Sequence, residues 1–126
     1  MAITSTPSAW ILDLGALNHV AASKDEFSSI EESTRSPIYL GDSTLAKLCG
    51  EGIVYLEGGC FKNVLHVPSL SVNILSIYKI THSISGRKVE FTSDSTVITD
   101  ISMGSQLTHG IADHGSRFVF ILPLCS

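Results

Sequence analysis

Seven short runs rich in β-branched, aromatic and aliphatic side chains, each closed by a turn former, restrict the fold more than any other feature of this chain. They are Trp10-Ile11-Leu12, Ile38-Tyr39-Leu40, Ile53-Val54-Tyr55-Leu56, Val64-Leu65-His66-Val67, Lys88-Val89-Glu90-Phe91, Thr96-Val97-Ile98-Thr99 and Phe118-Val119-Phe120-Ile121-Leu122. Between them stand Gly41-Asp42-Ser43, Glu57-Gly58-Gly59, Pro68-Ser69, Ser85-Gly86, Ser93-Asp94 and Asp113-His114-Gly115, which supply the backbone angles that chain reversals need. Side chains branched at Cβ are stiff and pack well on a pleated surface. Ile, Val and Thr number 13, 8 and 9 against only 7 Ala, so the balance leans from helix to strand. Many short strands at this spacing predict an all-β barrel or sandwich.

With 126 residues there is room for one domain. Hydrophobic residues at 44% and charged ones at 16% allow a buried core and exclude a disordered chain. The net charge of −4 argues against direct, sequence-independent nucleic-acid binding, which needs a basic face. No apolar run approaches the roughly 20 residues that span a bilayer, so no membrane partner is expected. The start of the chain has neither a basic nor a long apolar segment, so it does not read as a secretory signal. Cys49, Cys60 and Cys125 are odd in number and lack C-x-x-C spacing, which reads as reduced thiols in an intracellular protein. No metal or other cofactor is expected.

Local patterns add detail. Residues 1–8 are rich in Ser and Thr and read as a frayed segment, leaving residues 9–124 as one domain. Ser23-Lys24-Asp25-Glu26 fits a capping box, with Glu26 reaching back to the Ser23 amide. A strand is predicted up to about Leu75, and a short helix from Ser76 to His82. Trp10 is expected in the core, and Glu31-Glu32 in a solvated loop.

Asp13 stands apart from the other carboxylates. It follows Trp10-Ile11-Leu12 and precedes Leu14-Gly15-Ala16, so a strand carries an acid into apolar surroundings before a glycine turn. A desolvated carboxylate facing a second one would split into a proton donor and an acceptor, the arrangement that activates water. The competing reading is that Asp13 hydrogen-bonds its own turn.

The segment Trp10-Ile11-Leu12-Asp13-Leu14-Gly15-Ala16-Leu17-Asn18-His19 resembles the W-x-x-D-S-G-A-x-x-H motif that opens the protease region of copia-type retrotransposon Pol polyproteins. The likeness continues through Tyr39-Leu40-Gly41-Asp42-Ser43-Thr44 and Gly50-Glu51-Gly52-Ile53-Val54. It is strongest over Phe61-Lys62-Asn63-Val64-Leu65-His66-Val67-Pro68-Ser69-Leu70 and Asn73-Ile74-Leu75-Ser76, and in all covers roughly residues 8 to 122. It is similar to plant elements of that class.

The resemblance implies a small closed retropepsin-like β-barrel with one short helix, acting as a homodimer. On that mapping Asp13 is the catalytic carboxylate and Leu14, Gly15 and Ala16 form the active-site loop, with Gly15 allowing a tight turn and close approach to substrate. A flap hairpin over residues 38–46 carries Leu40, Gly41, Asp42 and Ser43 against an extended peptide. Residues 72–76 lie beneath the loop, Ser76 standing where many retropepsins carry Gly. His19 and His66 also match family positions and are read as structural. The implied partners are a second copy and peptide segments of the chain's own polyprotein, in the cytoplasm or in virus-like particles.

Three positions depart from the family pattern. Leu14 replaces the Ser or Thr whose hydroxyl locks the two loops together, Leu17 stands where a polar residue is common, and Ser116-Arg117-Phe118 replaces a G-L-Y step. With neither a zinc knuckle nor an integrase alongside, the chain reads as a separated polyprotein fragment. The alternative function is therefore a catalytically impaired β-barrel module serving a structural or interaction role.

Overall fold

The computed structural model describes residues 9–32, 37–39, 45–56, 59–83, 86–102, 104, 106–112 and 118–121. Its strands are β1 (Ala9–Asp13), β2 (Val20–Ala21), β3 (Ser29–Glu32), β4 (Ile38–Tyr39), β5 (Leu45–Ala46), β6 (Gly50–Leu56), β7 (Gly59–His66), β8 (Asn73–Ser76), β9 (Arg87–Phe91), β10 (Ser95–Asp100), β11 (Gln106–Ala112) and β12 (Phe118–Ile121). One five-residue helix, α1 (Ile77–Thr81), follows β8 directly. The described residues are therefore mostly β-sheet with one short α-helix.

Ten strands form a single sheet in the order β3-β6-β7-β2-β8-β1-β12-β11-β10-β9, while β4 and β5 pair separately. The long neighbours are antiparallel hairpins, β6 with β7 and β10 with both β9 and β11. At the centre the pattern changes: β1 runs parallel to β8, and β2 parallel to β7. Parallel partners cannot be joined by a tight turn. This centre is therefore assembled from segments far apart in the chain.

Period-two alternation puts Trp10 and Leu12 of β1 in the core, with Ala9, Ile11 and Asp13 on the other side of the pleat. Trp10, Leu12, Val54, Leu56, Phe61, Val64, Leu75, Ile80 and Ile98 make up most of the main cluster. A second cluster joins Val20, Ala46, Leu48, Leu65 and Val67. Helix α1 adds Ile80 to the first cluster and is capped by Ser76, whose side chain accepts from the Lys79 amide.

Several expectations need correction. The sheet is not a closed barrel among the described residues: it ends at β3 and β9, which are not paired to one another. Glu31 and Glu32 belong to strand β3 instead of a loop, though both are exposed. In the turn Lys24–Glu26, Ser23 Oγ does accept from the Asp25 amide, but the Glu26 carboxylate is taken by the Trp10 indole, which donates to Oε1 at 3.2 Å. Burial of an indole N–H demands a partner, and Glu26 supplies it. The stem of the hairpin over residues 38–46 exists as the β4–β5 ladder, pairing Ile38 with Ala46 and Tyr39 with Leu45. Leu40, Gly41, Asp42 and Ser43 lie outside the described residues, as do residues 1–8 and Cys125.

Strand β3 lies so close to β6 that glycine is needed there. A Cβ built on Gly52 would fall 2.0 Å from the Ser29 carbonyl oxygen and 2.8 Å from Ile30 Cα. Both obstacles are backbone, so relief requires moving a strand. Gly52→Ala is expected to cost about 1–3 kcal/mol, as overpacking does. Chemical denaturation followed by circular dichroism checks this, and an unchanged midpoint would refute the close approach.

Candidate functional site around Asp13

Asp13 ends β1, an interior strand held between β8 and β12. It sits in register with Ser76 of the parallel neighbour. The carboxylate is half-buried, not enclosed, and its Oδ1 accepts the Gly15 amide at 2.7 Å. The apolar enclosure anticipated for it is absent in a single chain, because Leu14 and Leu17 turn outward and are 80% and 68% exposed. Both leucines lie in the one loop that follows Asp13.

The loop leans on β8 from below. Ser76 Oγ donates to the Ala16 carbonyl at 2.7 Å, and the Ser76 amide donates to Nδ1 of His19 at 2.9 Å. His19 is 4% exposed and meets the Phe61 ring edge-on, with centroids 5.6 Å apart. Burial, reinforced by the Lys79 and Arg87 cations, lowers its pKa from 6.5 to about 3, so the imidazole is neutral over the ordinary pH range. Its carbonyl accepts from the Leu65 amide, tying the loop's far end to β7.

Asn73, at the other end of β8, lies in the segment expected beneath the loop, but its two side-chain bonds were not anticipated. It is 6% exposed; Oδ1 accepts from the Ala22 amide at 2.9 Å and Nδ2 donates to the Ala9 carbonyl at 3.2 Å. One side chain thus pins both ends of the β1–loop–β2 unit.

Gly15 behaves differently from expectation. Its φ is not among the positive values, and a Cβ there would meet only Asp13 Oδ1 at 3.4 Å, an ordinary contact. Among the described residues nothing requires glycine at this position. Asp13, Leu14, Gly15 and Ala16 are together by chain continuity; Asp13 is paired in register with Ser76, and Ala16 is fastened to Ser76 through its carbonyl. Among the described residues no group of three His, Cys, Asp or Glu side chains could hold a metal ion. Cys49 and Cys60 are free thiols.

Comparison with protein families places residues 10–86 on the family described as Pol polyprotein, beta-barrel domain. That is more than half of the chain. The chain belongs to this family.

Two relatives agree with the assignment. The Pol beta-barrel chain is 26% identical over 106 residues to the Retrovirus-related Pol polyprotein from transposon RE1 of Arabidopsis thaliana, covering 80% of this chain and 7% of that protein. It is 31% identical over 70 residues to a transposon Ty5-1 protein of Saccharomyces cerevisiae, covering 56% of this chain and 48% of the other. The chain thus spans less than half the length of either relative. No solved structure matches it significantly. The copia-type retrotransposon resemblance read from the motifs is thereby established as family membership, and it locates Asp13, the loop and β8 inside the matched region.

Proposed function

We propose that this Pol beta-barrel domain is an aspartic endopeptidase module of the retropepsin type, which cleaves segments of its own retrotransposon polyprotein as a homodimer. The observation that carries the reading is Asp13: a half-buried carboxylate at the end of an interior strand, on a loop tied down from β8 and bordered by outward leucines. Of the two D-x-G triplets in the chain, Asp13-Leu14-Gly15 follows an apolar strand run and Asp113-His114-Gly115 does not, so on this reading the second carboxylate is Asp13 of the partner subunit. Two carboxylates held close cannot both ionise easily, and one keeps a proton. The ionised one takes a proton from water as the oxygen attacks the peptide carbonyl. The protonated one supports the developing oxyanion, and the leaving amine then departs with a proton.

Gly15 gives this reading a specific signature. The lone chain has room for a methyl group there, so Gly15→Ala is expected to leave stability within about 0.5 kcal/mol, as surface changes usually do. Peptide cleavage is expected to fall sharply, because a partner loop and substrate would crowd that backbone. Equal cleavage by both forms would remove Gly15 from the site.

A second reading, a non-catalytic barrel module, draws on two facts. Asp13 Oδ1 is already engaged by Gly15, and Leu14 lacks the hydroxyl that the family uses to couple two loops. The deciding experiment mixes the purified domain with a peptide spanning a polyprotein junction at mildly acidic pH. The peptidase reading expects cleavage that Leu14→Ser increases and Asp13→Asn abolishes. Sedimentation as a monomer at micromolar concentration, with no cleavage by either the parent or Leu14→Ser, would leave the module reading. On the peptidase reading the partners are a second copy and polyprotein peptides, within the cytoplasm or virus-like particles, without nucleic acid or membrane.

A further inference from the structure

We infer that Ser76 and His19 form a clamp that positions the Asp13 loop, with Ser76 as the central positioning residue and His19 as a permanent hydrogen-bond acceptor. The inference rests on reading Asp13 as the reacting carboxylate, but the clamp itself can be tested without that reading.

The loop over residues 14–18 carries few fasteners. Within it, the Gly15 amide turns back to Asp13 Oδ1. Two contacts come from a single residue of another element, Ser76 Oγ to the Ala16 carbonyl and the Ser76 amide to His19 Nδ1, while the Leu65 amide holds the His19 carbonyl at the far end. Ser76 is wholly buried and in register with Asp13 across the parallel pair, so a shift of Ser76 is felt at both ends of the loop. Its hydroxyl both donates and accepts, because it also takes the Lys79 amide at the start of α1. A glycine at this position could supply the amide but neither side-chain bond.

The donor on Ser76 is a backbone N–H and cannot accept a hydrogen bond, so the arrangement works only if His19 Nδ1 carries no proton. The groups facing His19 favour that state. The Phe61 ring lies against it, and the charged groups acting on it are Lys79 on α1 and Arg87 on β9, both positive. Arg87 is itself held by donating to the Cys60 carbonyl at 2.8 Å and lies 5.0 Å over the Phe61 ring centroid. The clamp therefore stays closed in the mild acid where a carboxylate pair would work.

Nitrogen-15 NMR of the unmodified domain is the first test. The His19 ring is expected to be neutral from pH 7 to 5, with its proton on Nε2 and Nδ1 accepting. A proton on Nδ1, or a charged ring at pH 5, would overturn the clamp. Amide hydrogen exchange is the second test. His19→Phe is expected to speed exchange at Ser76 and Gly15, and His19→Asn, whose side-chain oxygen can accept from the same N–H, to restore protection. Unchanged exchange in His19→Phe would also overturn it.

The third test uses the Leu14→Ser background, where Ser76→Ala is expected to lower kcat roughly 10- to 100-fold with KM little changed, as misplacement of a reacting group does. Cleavage that is unaffected by Ser76→Ala would refute the positioning role. If nothing is cleaved by any form while the tautomer and exchange results hold, the peptidase reading fails and the clamp stands.

Discussion

Trp10→Ala is expected to remove about 3–5 kcal/mol of folding stability, the largest loss of any single side chain in the domain. A domain of this kind holds a margin of only about 5–15 kcal/mol, so the truncation removes from about a fifth of it to nearly all of it. The residue is completely buried in the main cluster. It lies on β1, between Asn73 of β8 and Phe120 of β12 in the ladder, so its cavity would open at the centre of the sheet. The indole N–H also holds Glu26, which anchors the turn Lys24–Glu26 to the core. Truncation leaves that carboxylate without its donor. Trp10→Phe separates the effects, since it keeps most of the volume and loses only the hydrogen bond, for about 1 kcal/mol plus a smaller packing loss. Urea denaturation followed by far-ultraviolet circular dichroism measures both. A Trp10→Ala midpoint equal to that of Trp10→Phe would contradict the packing argument.

Acid is expected to weaken the fold through His19. The unfolded imidazole takes up a proton near pH 6.5, while the buried one resists until about pH 3. Between those values the unfolded chain binds more protons than the folded one, so stability falls as pH falls. It is fully present above pH 6.5, declines at up to about 1.4 kcal/mol per pH unit, and levels off below pH 3. The total reaches several kcal/mol, comparable to the Trp10 truncation. His19→Asn, which has no titrating ring, is expected to flatten the slope between pH 6.5 and 4. Urea midpoints at a series of pH values for both proteins decide the matter, and parallel curves would exonerate His19. Molecules that remain folded keep the clamp on Ser76 intact over this window. A peptide or second copy that binds only the folded form would restore part of the lost margin.

Much of the strand content was legible because it is encoded locally. Val64, Leu65 and their neighbours, or Thr96 to Thr99, declare strands by branching and by flanking turn formers, and each falls inside an observed strand. Ser76 and the apolar positions after it announced α1 within a residue at each end. The misses have physical reasons. Strand β3 carries the acidic pair Glu31-Glu32 and looks like a loop; it becomes a strand because Gly50 and Gly52 of β6 leave space for its backbone. Strand β11 includes His109 and Gly110, poor markers, yet it has β10 on one side and β12 on the other to satisfy its ladder. The Glu26 capping box failed because a buried indole competed for the same carboxylate.

The candidate site divides along the same line. By itself the sequence determined the all-β class, the family and the segment that carries Asp13, since these depend on residue types and spacings a few positions apart. Only the tertiary structure decided that Asp13 is half-open beside outward leucines, that its Oδ1 holds its own turn, and that Ser76, Asn73 and His19 brace the loop. The bonds from Ser76 to Ala16 and to His19 join residues 60 and 57 positions apart, and that from Asn73 to Ala9 spans 64. Parallel pairing of β1 with β8 creates them. A parallel pair leaves no turn signature between its strands, so the motif resemblance alone put residues 72–76 beneath the loop, and the individual bonds there were visible only in the structure.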